Sequence, residues 1–378
     1  MKQNRHWSKR VRWGRLLVLL GVVLGICYSW PTYQPPGRPE VRLRLNYLER
    51  VIQEGAAPNT DLSRLTQLNP EWGLFTLSFS TYALTNLAAQ QPDLRLEAAA
   101  TIARAIRVAL TDPIRTPFEA GVPTDPNEPA LPSSVLYLGH LNLMLGCHRQ
   151  LVLNSPYRHL HDSLSAALYA RYEQEANLAS YLHQRWVPDN TVALASLALH
   201  SQLTGSPYAE AGRRWVAAAK AHLLDSKTGL LASMVDEQGR PTEQPRGSML
   251  GWSIWFIARF DSAFARQQYQ RYQAAHSTNL GVLRLYREQP GDYSIGAGDV
   301  DNGPLILGYG IPATAFAFAD AVALGDWHNA QRLRRVISLG SRDIRAGEEL
   351  RYGVRLVNLD VNPLSEALLL WADVPGGR

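Results

Sequence analysis

From residue 40 onward, apolar positions recur at three- and four-residue intervals in long segments, separated by short breaks rich in Gly, Pro and Asp. Residues 93–110 show the spacing plainly, with Leu94, Ala98, Ile102, Ile106 and Leu110 on one helical face. The pattern predicts helices over 40–54, ending at Gly55, and over 70–90, where Asn69 caps and Pro70 suits the first turn. Further helices are predicted over 93–110, 133–153, 157–183, 190–204, 207–224, 247–259, 262–275, 311–324, 326–338 and 363–372. Residues 229–244, with Gln238-Gly239 at the turn, and 349–361 read as hairpins. The stretch 112–132 holds six prolines and is predicted as a long loop, a common form for a functional lid. Short links between so many helices favour antiparallel neighbours. The expected fold class is therefore all-α: an α/α toroid, a barrel of paired antiparallel helices, as one domain over 40–378. No strict repeat, no βαβ alternation and no phosphate-binding Gly loop is present in the sequence.

Before that domain the pattern changes. Residues 1–15 carry six Lys/Arg and no acid, and Leu16–Trp30 is uncharged. At about 1.5 Å per residue, Trp13 to Trp30 spans roughly 27 Å, enough to cross the hydrocarbon if Arg15 snorkels. The expectation is a basic cytoplasmic tail (1–15), one transmembrane anchor (16–30) and a Pro-rich linker (31–39), with the domain outside an inner (plasma) membrane. A cleaved signal peptide competes, but no A-x-A site follows the apolar run.

Charge then adds little. The net +5 belongs to the tail, because the remaining residues hold 32 basic and 33 acidic side chains (38 less 6, against 33). No basic run with interleaved aromatics follows residue 15, which excludes a nucleic-acid groove. With 46% hydrophobic and 19% charged residues, a large core is within reach. The two cysteines, Cys27 and Cys147, fall in different phases, so neither a disulfide nor a Cys-rich metal site is expected. No cofactor is expected.

Four segments place polar or aromatic groups beside apolar helices. The first holds Glu71 and Trp72, where the acid suits a helix N-terminus. The second holds Tyr137, His140 and Asn142 within an otherwise apolar helix, where an imidazole suits proton transfer. In the third, Asp189 and Asn190 precede a helix that either would cap. The fourth is a Gly-rich loop with Asp299 and Asp301, ahead of Tyr309. Arg246, before the helix of Trp252 and Trp255, is placed to pair with one of these acids.

Taken in order, YLGHLNLMLGCHRQL (137–151), WVPDNTVALASLAL (186–199), PRGSMLGWSIWFIARFD (245–261) and GDVDNGPLILGYGIPATAFAFADA (298–321) resemble the linalool dehydratase/isomerase-like family. That resemblance implies an α/α barrel with an apolar cavity and cofactor-independent acid/base chemistry on a hydrophobic, isoprenoid-like alcohol. It implies Asp189 and His140 as proton exchangers, with Asp301 or Glu71 as a second acid. Trp72, Tyr137, Asn142, Asn190, Arg246, Trp252, Asp299 and Tyr309 would then contact substrate. The two active-site cysteines of the family are replaced by Trp186 and by Ala195 or Ser196, which argues against linalool itself.

Three functional classes follow. One is a lyase or isomerase on a hydrophobic alcohol delivered from the membrane. Another is a carbohydrate-active toroid, hydrolase or lyase, using a pair from Glu71, Asp189, Asp299 and Asp301. The last is a non-catalytic binding or scaffold barrel. Homo-oligomerisation is compatible with all three.

Overall fold

The computed structural model describes residues 13–23, 35–118, 120–122, 131–291, 295–296, 298–299, 302–303, 305–355, 359–360 and 362–374. The chain divides into two units, Met1–Gln34 and Pro35–Arg378. The first contributes helix α1, residues 13–23, with exposed side chains. No described helix is long and apolar enough to cross a membrane. The predicted anchor, 16–30, runs beyond Val23 into residues outside those described, so the expected spanning helix is not seen.

The second unit is a closed ring of six inner helices: α4 (Pro70–Gln90), α7 (Val135–Leu151), α9 (Val187–Thr204), α11 (Gly247–Ile257), α13 (Ile311–Leu324) and α15 (Pro363–Asp373). Each packs on the next, and α15 returns to α4. Outside them lie α2 (Arg38–Glu54), α5 (Arg95–Ala109), α8 (Arg158–Gln174), α10 (Glu210–His222), α12 (Ser262–His276) and α14 (Trp327–Gly340). Two short helices, α3 (Asp61–Leu68) and α6 (Asp112–Arg115), complete the set.

Composition explains the two layers. An inner helix is covered on every side and has no polar face to present. In α4 everything from Gly73 to Ala88 is buried. Its hydroxyls bond back to its own carbonyls, as Thr76 to Trp72 (2.7 Å), Thr81 to Leu77 (2.9 Å) and Thr85 to Thr81 (2.8 Å). Outer helices are one-sided: α14 buries Asn329, Ala330, Gln331 and Leu333 and leaves the rest to solvent or the rim. Glycines let inner helices meet closely. A Cβ on Gly139 of α7 would stand 2.9 Å from the Ala193 backbone nitrogen of α9, and one on Gly251 of α11 would stand 2.6 Å from Phe316 Cβ of α13.

Ring closure is fastened by charge. Arg44 of α2 and Glu366 of α15, both buried, meet at 3.1 Å. Glu366 also accepts from the Tyr352 amide (2.8 Å), and the Arg44 guanidinium lies 3.6 Å from the Tyr352 ring centroid.

Every described strand falls in a connection from an outer to an inner helix. β1 (Ala120–Val122) pairs with β2 (Leu131–Pro132), and β3 (Arg185–Trp186), β4 (Met234–Val235) and β5 (Pro241–Glu243) form one small sheet. β6 (Ser277–Asn279) pairs with β7 (Arg284–Tyr286), β8 (Ile295–Gly296) with β9 (Leu305–Ile306), and β9 with β10 (Tyr309–Gly310). β11 (Ser341–Ala346), β12 (Glu349–Val354) and β13 (Leu359–Asp360) form the last sheet. All pairs are antiparallel.

Three expectations need correction. The helix predicted over 157–183 stops at Gln174, because Asn190 captures the backbone of Leu178 and turns the chain. Helix α9 starts at Val187, with Trp186 at the cap position and Pro188 in the first turn, so Asp189 and Asn190 lie inside it and neither is its N-cap. Among the described elements, helices α3 and α6 and strands β1, β2, β3 and β6 to β11 were not predicted, being too short for periodicity to register.

Candidate active site

Antiparallel pairing sorts the connections by end. Links from inner to outer helices are short: 91–94, 152–157, 205–209, 258–261 and 325–326. Links from outer to inner run over 55–69 (with α3), 116–134, 175–186, 223–246, 277–310 and 341–362, and their described parts gather at the end where inner helices begin. This end is the mouth. First-turn residues of inner helices lie there, and their free amides favour negative charge.

One part of the mouth is Glu71, in the first turn of α4, whose Oε1 accepts a short hydrogen bond from the Tyr181 hydroxyl. Tyr181 stacks on Phe118 (6.4 Å between centroids, 19°), and Trp72 beside Glu71 is half-buried. Another part is Asp189, in the first turn of α9 and 6% exposed.

A third part centres on Arg246, which precedes α11. Its Nε donates to Glu288 Oε1 (2.9 Å) and one terminal nitrogen donates to both Asp299 oxygens (3.1 and 2.9 Å). Glu288 also accepts from the Ser248 amide (3.0 Å) and hydroxyl (2.7 Å). Burial opposes the Arg246 charge, yet Glu288, Asp299 and Glu243 together raise its pKa above the ordinary value. Asp299 exchanges hydrogen bonds with Asn302, each backbone amide meeting the other's side-chain oxygen at 2.9 Å. Tyr309 accepts from Arg287 (2.7 Å). Asp301 lies outside the described residues.

Below the mouth the bore is filled. Phe75, His140, Trp252 and Phe316 are each the sixth residue of an inner helix and form one layer, roughly 7 Å below the helix starts. Their rings touch: Phe75–Trp252 at 4.9 Å, His140–Trp252 at 5.5 Å and Trp252–Phe316 at 5.4 Å between centroids. Phe79, Phe256 and Trp371 plug the next layer. His140 is fully buried; Nδ1 is 3.0 Å from the Tyr82 hydroxyl and Nε2 has no partner. Burial lowers its pKa to about 3, so it stays neutral at physiological pH. The Trp252 indole nitrogen is likewise buried without a partner. A hollow of about 640 Å³ lies outside the ring, between the ends of α2 and α5, lined by Ile52, Gly55, Arg104 and Val108 among others.

Three predicted contact residues are removed from the site by their bonding. Tyr137 is buried and donates to the Ala109 carbonyl (2.9 Å), joining α7 to α5. Asn142 donates to Ser165 (3.0 Å) and Ser196 (2.8 Å), linking α7, α8 and α9. Asn190 accepts from the Leu178 amide (2.8 Å) and the Tyr172 hydroxyl (2.9 Å) and donates to the Leu178 (3.1 Å) and Trp186 (2.8 Å) carbonyls. Its side chain is spent on holding the loop. Glu71, Trp72, Asp189, Arg246, Asp299 and Tyr309 share the mouth; His140 and Trp252 lie in the layer beneath.

Sequence reasoning missed Glu288 and Tyr181. Both sit in loops without periodicity, and their partners are set by chain crossings. Residues 287 and 288 pass over the start of α11, where Gly247 donates to the Glu288 carbonyl (2.8 Å) and a Cβ on Gly247 would lie 2.2 Å from the Arg287 oxygen. Asp320, also missed, is fully buried in α13 with both oxygens unpartnered, and burial raises its pKa well above the carboxylate range. Cys147 is buried and its thiol is pushed up to about 11 by burial, as suits core filler. Among the described residues one group has metal-ligand spacing, and it lies at the opposite end from the mouth.

No family model matches the chain. Solved structures do share its architecture. A family 105 glycoside hydrolase of C. acetobutylicum ATCC 824 is 12% identical, with a TM-score of 0.55 over 86% of this chain and 98% of that one. The GH76A α-1,6-mannanase of Salegentibacter sp. HEL1_6 is 10% identical, with 0.55 over 89% and 98%. The unsaturated glucuronyl hydrolase of Bacillus sp. GL1 is 12% identical, with 0.54 over 88% and 96%. At such identities the likeness establishes the fold, an α/α toroid, and not the reaction. Of the resemblance to linalool dehydratase/isomerase-like proteins, the α/α barrel is what stands.

Proposed function

We propose that this chain is a carbohydrate-active toroid, a hydrolase or lyase that takes a glycan at its mouth. The observation that carries this reading is the division between mouth and bore. Ionisable groups gather in the first turns of the inner helices, while aromatic rings close the space beneath. A polar polymer fits an open mouth with acids and half-buried aromatics such as Trp72, Tyr181 and Tyr309. Glycosidic cleavage needs two carboxyl groups, one to protonate the leaving oxygen and one to act as base or nucleophile. Asp189 and Glu71 take those roles here, since Arg246 neutralises Glu288 and Asp299. The three structural neighbours are, by name, a glycoside hydrolase, a mannanase and an unsaturated glucuronyl hydrolase. The basic tail and apolar segment support a membrane tether that holds the domain on the extracytoplasmic side, near envelope glycans.

The test is turnover of envelope oligosaccharides, read as new reducing ends or unsaturated products. Asp189→Asn is expected to lower the rate by about 10²–10⁴-fold, and Glu71→Gln to lower it strongly as well. Unchanged rates in both variants would refute the assignment. One observation favours a second reading, a lyase or isomerase on an isoprenoid-like alcohol. His140 Nε2 and Trp252 Nε1 are two unpartnered polar atoms in an aromatic layer. Stabilisation by terpenoid alcohols, with none by glycans, would move the assignment there.

A further inference from the structure

We propose that the end of the toroid opposite the mouth carries a site for a divalent transition-metal cation, built from His161 and Asp162 of α8 and His200 of α9, with Arg149 of α7 as a built-in competitor. One donor atom from each of the three residues lies within 4.8 Å of the others. Tetrahedral ligands on zinc stand about 3.4 Å apart, so a bound ion would draw these atoms together by up to about 1.4 Å. His161 is fully buried and its Nε2 has no partner, which is costly for a polar atom that serves nothing.

His200 Nε2 stands 2.8 Å from Asp162 Oδ1, while its Nδ1 meets the Ser206 hydroxyl at 2.9 Å. A hydrogen bond on the far nitrogen is what orients a ligating imidazole. Asp162 is half-exposed, so a cation has a route in and a water can complete the coordination. Two imidazoles and one carboxylate suit Zn²⁺ or Co²⁺ better than Mg²⁺ or Ca²⁺, which prefer all-oxygen shells.

Arg149 already marks the position as favourable to positive charge. One of its terminal nitrogens bonds Asp162 and lies 3.4 Å from His161 Nδ1. The C-terminal turn of α7, where Arg149 sits, adds the negative end of a helix dipole. A bound ion would displace this guanidinium and tie α8 to α9 at the end away from their own connection, 175–186. The site is independent of the mouth.

Titration of the full chain with Zn²⁺ alone, followed by calorimetry, tests this, with Co²⁺ absorption as a signature of tetrahedral nitrogen and oxygen ligation. Wild type is expected to bind one ion, and His200→Gln and Asp162→Asn to weaken binding at least about tenfold, one step of the affinity scale. Arg149→Gln is expected to tighten it by a similar factor, a gain that misfolding does not produce. Absence of binding in both wild type and Arg149→Gln, or equal binding in His200→Gln and wild type, would overturn the proposal.

Discussion

At the mouth, one connection runs from 277 to 310 and the others carry the remaining described strands, whereas at the far end α13 passes to α14 through residues 325–326 alone. The far end is held by brevity, since a short link leaves a helix pair few ways to sit. The mouth cannot use that device. It relies on buried polar anchors, Glu288 beneath Arg246 and Asn190 beneath Leu178, to fix long segments whose lengths remain free to vary. A toroid thus keeps its frame and its chemistry at separate ends.

Removing an anchor is the most direct way to break the comparison. Glu288→Ala leaves Arg246 buried without its innermost partner and is expected to cost about 3–5 kcal/mol in urea unfolding; a loss under about 1 kcal/mol would show that the mouth does not depend on this pair. Next comes the ring that both ends share. Gly139→Val forces a side chain onto the Ala193 backbone and is expected to cost about 3 kcal/mol. A melting temperature unchanged from wild type would mean that α7 and α9 separate freely.

Adjacent residues sharpen the contrast further. Asn190→Ala is expected to cost about 2 kcal/mol by stranding the Leu178 amide and the Tyr172 hydroxyl. Asp189→Asn, one position earlier, should change stability by less than about 1 kcal/mol while removing turnover. The reverse pattern would exchange their roles.

Acid reaches bore, wall and far end together. His140 and His161 fall to about 3 and His276 to about 4, chiefly through burial. Each folded value lies below the ordinary imidazole value, so the unfolded chain takes up protons first as pH falls. Stability is full above about pH 6.5 and is lost towards pH 3–4, by up to about 1.4 kcal/mol per pH unit for each ring. A flat stability profile between pH 6.5 and 4 would contradict their burial as neutral groups. The smallest effect belongs to Leu153, 88% exposed in a far-end link. Leu153→Ser should move stability by no more than about 0.5 kcal/mol, and a larger loss would reveal a covering contact there.

Much of the frame was legible in the sequence because inner and outer helices differ in kind. IPATAFAFADAVAL has no polar face, while WHNAQRLRRVISLG has one, and Asp326 caps the latter through Asn329 as its position suggests. Arg246 is expected to pair with one of the candidate acids, and it pairs with Asp299 as well as with Glu288, which was not among them. Asn190 misled, because a short polar residue ahead of an apolar run looks like a cap, and only the fold shows it bent back to an earlier loop. His140 misled differently: a polar residue within an apolar helix suggests a wet cavity, and the rings that seal it come from two other helices, α4 and α11. Glu288 had no local signal, since its partner is 42 positions away.

Closure of the ring has a consequence for how the molecule comes into being. Helix α4 is made long before α15, which covers its flank; Arg44 waits across 322 positions for Glu366. Until Pro363–Asp373 has left the ribosome, an apolar stripe stays uncovered and the native contacts that would cover it do not yet exist. The nascent chain therefore passes through a prolonged, sticky state in which exposed apolar surface favours aggregation and a chaperone would raise the yield.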